Sequence, residues 1–183
     1  LCYVVALYGL GMWMPQILKG LAQAMSLSSI GLLSAIPYFV GITVMFFVAR
    51  RSDAKQERRY HTAIPIGVSF FALIAMTMTT DLVVSMLWIC VAIGGIYSFV
   101  GTFWTLPHSY LSEATAAVGI AIINSVGNLG GFLGPYTVGF LKDLTGSNVF
   151  GMYFLASFAI LGTFLVLAVP AKDTHADSLK IKG

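Results

Sequence analysis

The chain has 183 residues, of which 58% are hydrophobic and 9% charged, with a mean hydropathy of +0.89 and a formal net charge of +3. Soluble domains carry about 25% charged residues, so this balance excludes an ordinary water-soluble domain and points to a membrane protein. Nearly all Lys and Arg lie in RRSDAKQERRYH and KDTHADSLKIKG, with no aromatic-interleaved basic patch of the kind that binds nucleic acid.

A spanning helix needs about 20 mostly apolar residues. The sequence predicts six, at roughly 1–19, 27–49, 62–80, 83–105, 117–140 and 150–169. The first opens LCYVVALYG, without Met or a basic flank. That opening is neither a signal peptide nor a clean helix start, so the expectation is a piece of a longer polypeptide that begins part-way through a helix. Tyr8, Met12 and Gln16 share one face at spacings of four. Gly9, Gly11 and Pro15 leave this helix breakable, as in the discontinuous helices of transporters. Cys2 and Cys90 lie in apolar runs and read as small core residues, with no metal-ligand spacing.

The second span puts Ser34, Pro37, Tyr38, Gly41 and Met45 on one face. Pro37 has no N–H and frees a carbonyl, and helix packing is the favoured explanation of the face. The loop ARRSDAKQERR that follows anchors topology by its positive charge. Asp53 is not needed for that. It is expected either to cap a neighbouring helix N-terminus or to pair with Arg58 or Arg59 when the cytoplasmic side is closed. The fourth span aligns Tyr97, Gly101, Trp104 and His108. Gly101 between two aromatics is expected to leave a notch that a small ligand enters, with Tyr97 and Trp104 as wall and hydrogen-bond donors. His108 reads as part of an interfacial aromatic belt.

Six spans place loops 50–61 and 106–116 on the same side as the tail. That side holds Arg50, Arg51, Lys55, Arg58, Arg59, Lys172, Lys180 and Lys182, and the other holds Lys19 and Lys142. The bias places the basic loop and the C-terminus in the cytoplasm.

The fifth span contains GIAIINSVGNLGGFLGP, residues 119–135, in which Asn124, Gly127, Asn128, Gly131 and Pro135 share a face. Gly127 with Gly131, and Gly130 with Gly134, are GxxxG pairs that allow close helix packing. Each asparagine either bonds across a helix contact or faces a polar cavity and binds substrate. Both readings stay open from the residues alone. No Asp, Glu, Lys or Arg falls in the middle of any span, so the titrating group of any ion-coupled transport is expected outside this stretch. No HExxH, intramembrane acid pair or Ser/His/Asp set suggests an enzyme, and no cofactor or metal is expected.

Together these residues resemble one half, helices seven to twelve, of a major facilitator superfamily transporter. PHSYLSEATAAVGIAIINSVGNLGGFLGPYTVG is similar to the eleventh-helix region of the anion:cation symporter family, whose members include permeases for tartrate, phthalate and sugar acids. LYGLGMWMPQILKG and SDAKQERR agree with it. The resemblance implies an all-α integral membrane protein, a six-helix bundle over 1–169 with a cytoplasmic tail at 170–183, forming half of a twelve-helix bundle. It implies symport of a small organic anion with H+ by alternating access, in a bacterial inner membrane, with the N-terminal half as partner. The cavity positions of that family map to Tyr8, Trp104 and Asn124. Tyr97 and Asn128 join them as expected substrate contacts. Asp53, Arg58 and Arg59 match the acidic and basic positions of the superfamily's cytoplasmic gate motif, which this loop departs from at Ala49 and Ala54. The alternative is a non-transporting six-helix subunit that assembles through its GxxxG faces.

Overall fold

The computed structural model describes residues 1–170, except for the side chains of 108–110, 113 and 114. Every regular element among the described residues is a helix: α1 (Cys2–Leu21), α2 (Leu27–Lys55), α3 (Arg59–Met76), α4 (Leu82–Phe103), α5 (Thr105–Tyr110), α6 (Glu113–Thr145) and α7 (Val149–Ala168). Local chemistry sets several of the ends. The Ser26 hydroxyl accepts from the Ser29 N–H (3.1 Å) at the start of α2, and Asp81 Oδ1 accepts from the Val84 N–H (2.8 Å) at the start of α4. Both are N-cap bonds that satisfy orphan donors. α6 stops at Gly146, whose φ of 69° suits a residue without Cβ. α2 stops at Gln56, also left-handed at φ 51°.

α2, α3, α4, α6 and α7 are each long and apolar enough to cross a membrane. α1 has the length, at 20 residues, but its glycines, Pro15, Gln16 and Lys19 dilute its apolarity, and it is not among those five. The expectation of six apolar spans is met in full by five helices and by length alone in the sixth.

α4 lies between α2 and α3, α3 packs on α7, and α1 lies against both α6 and α7. The core forms where they converge, around Leu10, Met14 and Leu18 of α1, Leu73 of α3, Ile89, Ile93 and Ile96 of α4, and Met152 and Leu155 of α7. Each of these is fully or almost fully buried, and complete burial of such a side chain contributes about 1.5–3 kcal/mol relative to water. Because the rival environment is lipid rather than water, close packing and buried polar contacts decide the arrangement. Gly95 lets α4 approach α3 so closely that a Cβ there would be 2.2 Å from the Pro65 carbonyl oxygen. Across the same contact Ser69 donates to Ala92 O (2.8 Å) and Thr62 to Thr102 Oγ1 (2.9 Å).

Four of the long helices have an interior proline, and each of these leaves the carbonyl four residues earlier without its helical donor. Neighbouring helices meet two of these carbonyls. The Tyr38 hydroxyl of α2 donates to Gly11 O, freed by Pro15, and Thr102 Oγ1 of α4 lies beside His61 O, freed by Pro65, each at 3.4 Å. Re-satisfaction by neighbours is what makes proline tolerable in a spanning helix.

Candidate functional site

α6 meets α1 through its glycines. A Cβ at Gly134 would be 2.4 Å from Val5 O, and one at Gly130 would be 2.9 Å from both Leu1 O and Val5 N. This pair sets a backbone-to-backbone contact. Gly127 and Gly131 also face α1 but at ordinary distance: a Cβ would be 3.7 Å from Leu1 N and 3.6 Å from the Tyr8 ring, respectively. Farther along, Trp13 Nε1 donates to Pro135 O (3.0 Å), while the Lys142 ammonium lies 4.8 Å from the Trp13 ring and 3.3 Å from Gln16 Oε1. These contacts hold the two helices together at the end expected to face outward.

The two amides do not enter that contact. Asn124 and Asn128 are both exposed, and neither has a hydrogen-bond partner among the described residues. Their positions differ in one respect. Leu1 lies opposite Gly127, so Asn124 is one turn beyond the point where α1 reaches α6. Asn128 lies within the paired stretch, one turn from the Tyr8–Gly131 contact, and is exposed with α1 alongside. It is also near the middle of the 33-residue α6, roughly 23 Å from its start and 26 Å from its end at 1.5 Å per residue.

Tyr8 is 43% exposed on the same open side, with Met12 one turn further at 60%. Tyr97 of α4 is half-buried and meets Tyr38 edge-on, ring centroids 6.1 Å apart. Tyr38 therefore bridges α1 and α4 through its hydroxyl and its ring, a role the sequence reading missed because it placed Tyr38 only on a packing face. Trp104 lies at the α4–α5 junction against Phe103, at 5.4 Å, seven residues from Tyr97. That separation is about 10 Å along a helix. Trp104 thus joins the Tyr3, Phe99 and Phe103 aromatic group at that end, not the Tyr8–Tyr97 level.

The Gly101 notch is filled. A Cβ there would be 2.7 Å from Met45 Cγ, so α2 occupies the space expected for a ligand. The flexible Met45 side chain is a natural filler for such a gap. The side chain of His108 lies outside the described residues.

In the basic loop between α2 and α3, Arg58 forms an ion pair with Asp53 and lies 3.4 Å from the hydroxyl of buried Ser52, which donates to Glu57 O (2.6 Å). Arg59 turns elsewhere and donates to Leu167 O in the last turn of α7, where a cation complements the helix dipole. Asp53 does not cap a helix. Glu57 does so for α3, accepting from the N–H groups of Tyr60 (2.7 Å) and His61 (3.2 Å) and from His61 Nδ1 (2.7 Å). Burial pushes the Glu57 carboxyl up, but these hydrogen bonds and the imidazole outweigh it and hold the group below its ordinary value. Glu57 was legible as the acid just ahead of α3, but it was overlooked in favour of Asp53. Among the described residues no group of three or more His, Cys, Asp or Glu is placed to hold a metal.

An all-α bundle with five helices long and apolar enough to cross a membrane defines a multi-pass membrane protein, and its proline-bearing helices, the first included, run unbroken where the sequence left α1 breakable. A family model of the Major Facilitator Superfamily matches residues 1–135. The chain is 36% identical over 168 residues to a quinolone resistance transporter of Acinetobacter baumannii, covering 92% of this chain and 38% of that protein. It is 35% identical over 170 residues to a protein of Agrobacterium vitis named as a tartrate transporter, covering 93% and 37%. It is 32% identical over 170 residues to a Pseudomonas putida protein named as the metabolite transport protein NicT, covering 92% and 39%. The chain spans less than two fifths of the length of these relatives. It belongs to the Major Facilitator Superfamily.

Proposed function

We propose that this chain forms one six-helix half of an alternating-access carrier that moves a small organic anion across a bacterial inner membrane. Family membership and the greater length of the relatives support two bundles about a central site, with the second bundle supplied by further polypeptide of the same carrier. The names of two relatives point to substrate chemistry, because tartrate and quinolones both carry a carboxylate. The charge bias of the loops supports a cytoplasmic location for residues 50–61 and for the tail, which lies outside the described residues.

The single observation that carries the site is Asn128. An amide at mid-span, exposed beside a packed helix and unpartnered among the described residues, costs several kcal/mol in hydrocarbon and calls for water, a ligand or the facing bundle. In the proposed carrier Asn128 faces the cavity and bonds polar atoms of the substrate, with Asn124 two turns from Gly131 toward the cytoplasm. Tyr8 and Tyr97 add hydroxyls and aromatic wall, and Trp104 closes the cytoplasmic end. The described spans place no cation on this face, so this half reads hydroxyl and ring atoms while the other half neutralises the carboxylate and carries the coupling proton. Asp53 with Arg58 forms the cytoplasmic gate pair, and Arg59 ties that gate to α7.

Uptake of a labelled carboxylate by the intact carrier in proteoliposomes, driven by an acid-outside gradient, tests this reading. Asn128→Ala and Asn124→Ala should raise the apparent KM at least tenfold with the protein still folded. Unchanged apparent affinity in both variants would overturn the site, and uptake indifferent to the proton gradient would overturn the coupling.

A further inference from the structure

Two lysines stand at the end of the bundle opposite the basic loop, Lys19 near the end of α1 and Lys142 in the last turn of α6. The fold uses them differently. Lys19 donates to the carbonyls of Gln23 and Met25, so its charge is spent on the connection that follows its own helix. Lys142 makes no bond to a carbonyl among the described residues. Its ammonium crosses to α1, donating to Gln16 Oε1 (3.3 Å) and lying 4.8 Å from the Trp13 ring. No acid among the described residues pairs with it. Asp143, the next residue, is exposed and forms no ion pair.

The contacts around Lys142 position its charge without neutralising it. Trp13 is fixed by donating its indole N–H to Pro135 O (3.0 Å), and its ring face holds a cation. Gln16 is exposed, and its oxygen accepts from Lys142. The two N–H groups of the same amide are left without a partner among the described residues. An ammonium with N–H to spare therefore touches an amide with two, and one carboxylate spans both. A carboxylate only accepts and carries the opposite charge, so it matches both donors. A cation is repelled by the ammonium, and a neutral hydroxyl meets the donors without the charge.

Gln16 also shares the open face of α1 with Tyr8 and Met12, two turns past Tyr8, or about 12 Å along the helix. Lys142 lies beyond the apolar run of α6 at 117–140. The pair thus stands at the mouth of that face. We propose that Lys142 and Gln16 form an outer docking site for the carboxylate of the arriving substrate, ahead of the mid-span contacts. Which solute arrives, and from which side, rests on the carrier reading above. The attraction of this pair for anions does not. A half-exposed charge beside water gives little standing affinity and acts on capture instead. Its effect fades as the Debye length falls from about 30 Å at 0.01 M to about 8 Å at 0.15 M ionic strength.

Two measurements on the intact protein in proteoliposomes test the site. The first needs no substrate. With Gln16→Cys as the only thiol, its modification rate is compared for an anionic and a cationic methanethiosulfonate at low ionic strength. The ratio of the two rates cancels any effect of the ammonium on the thiol itself. That ratio should fall at least threefold when Lys142→Gln is added, and hold with Lys142→Arg or Lys19→Gln. A ratio indifferent to Lys142 overturns the site whatever the protein transports. The second is the KM for carboxylate uptake from outside. Lys142→Gln and Gln16→Leu should each raise it about threefold at low ionic strength with kcat unchanged. Trp13→Phe keeps an aromatic face under the ammonium, so it should leave KM unchanged while lowering stability. Equal KM in wild type and Lys142→Gln, with Asn128→Ala still impaired, overturns the docking site and leaves the carrier reading intact. Impairment by Lys142→Gln, with none by Asn128→Ala or Asn124→Ala, overturns the mid-span site and supports the docking site.

Discussion

Replacing Gly134 with alanine would place a Cβ 2.4 Å from the Val5 carbonyl oxygen and 3.1 Å from its carbon, where ordinary contact begins at 3.4 Å. The obstacle is backbone, so no side chain can turn aside and α6 must withdraw from α1 by about 1 Å. That retreat also loosens the Gly130 contact and stretches the Trp13–Pro135 hydrogen bond. Overpacking of this kind costs about 1–3 kcal/mol, offset by about 1 kcal/mol from alanine's better helix propensity. Because the obstacle is backbone, the upper part of that range applies, and Gly134→Ala should lose up to about 2 kcal/mol net. At Gly127 and Gly131 a Cβ finds 3.7 and 3.6 Å, so only the propensity gain applies there. The assay is the fraction of intact protein that remains monodisperse after stepped heating in detergent. Gly134→Ala should fall a few degrees below wild type, while Gly127→Ala and Gly131→Ala match or exceed it. Equal losses at all three sites, or none at Gly134, would refute the assignment of Gly130 and Gly134 as the close contact.

Gly95→Ala should be still more damaging, because its Cβ meets Pro65 O at 2.2 Å, whereas Gly101→Ala should cost under about 1 kcal/mol because Met45 can rotate away. Expression yield and melting temperature of the two variants compare them directly. Trp13→Phe removes the hydrogen bond to Pro135 O and weakens the seat of Lys142, and should lower stability by about 0.5–1.5 kcal/mol without changing substrate affinity. Glu57 has a lowered folded value, so its contribution is present above the ordinary carboxylate range and lost as pH falls through that lowered value. The stability difference between wild type and Glu57→Gln should be flat from neutral to mildly acidic pH and shrink below it. A difference that grew on acidification would contradict the capping role.

The spans were legible because they rest on apolar composition, but their ends were not. The apolar run of the second span stops at 49, while α2 continues to Lys55, because RRSDAK contains no Gly or Pro and a helix needs only its own hydrogen bonds to run on into water. α6 likewise reaches from Glu113 to Thr145, beyond its apolar run at 117–140. α5 lay hidden in a segment that reads as a polar loop. Single-helix periodicity correctly grouped Ser34, Pro37 and Gly41, all buried, on one face, but could not say what faced Gly101, since Met45 comes from another helix. That Ser85 Oγ and Asn148 Oδ1 are buried without partners was invisible for the same reason, since burial is set by elements distant in the chain. In the basic loop the charges offered Asp53 two partners, and only the fold separates Arg58, which reaches it, from Arg59, which reaches α7.

The central claim is that this chain is half of an organic-anion carrier, and ligand-induced stabilisation of the intact protein tests it most directly. Apparent melting temperature would be screened against carboxylates, neutral solutes and cations at pH 5.5 and 7.5. The account predicts a shift with one class of carboxylate, larger at pH 5.5. A shift with cationic or neutral solutes alone, and none with any carboxylate at either pH, would contradict it while leaving the fold and the family in place.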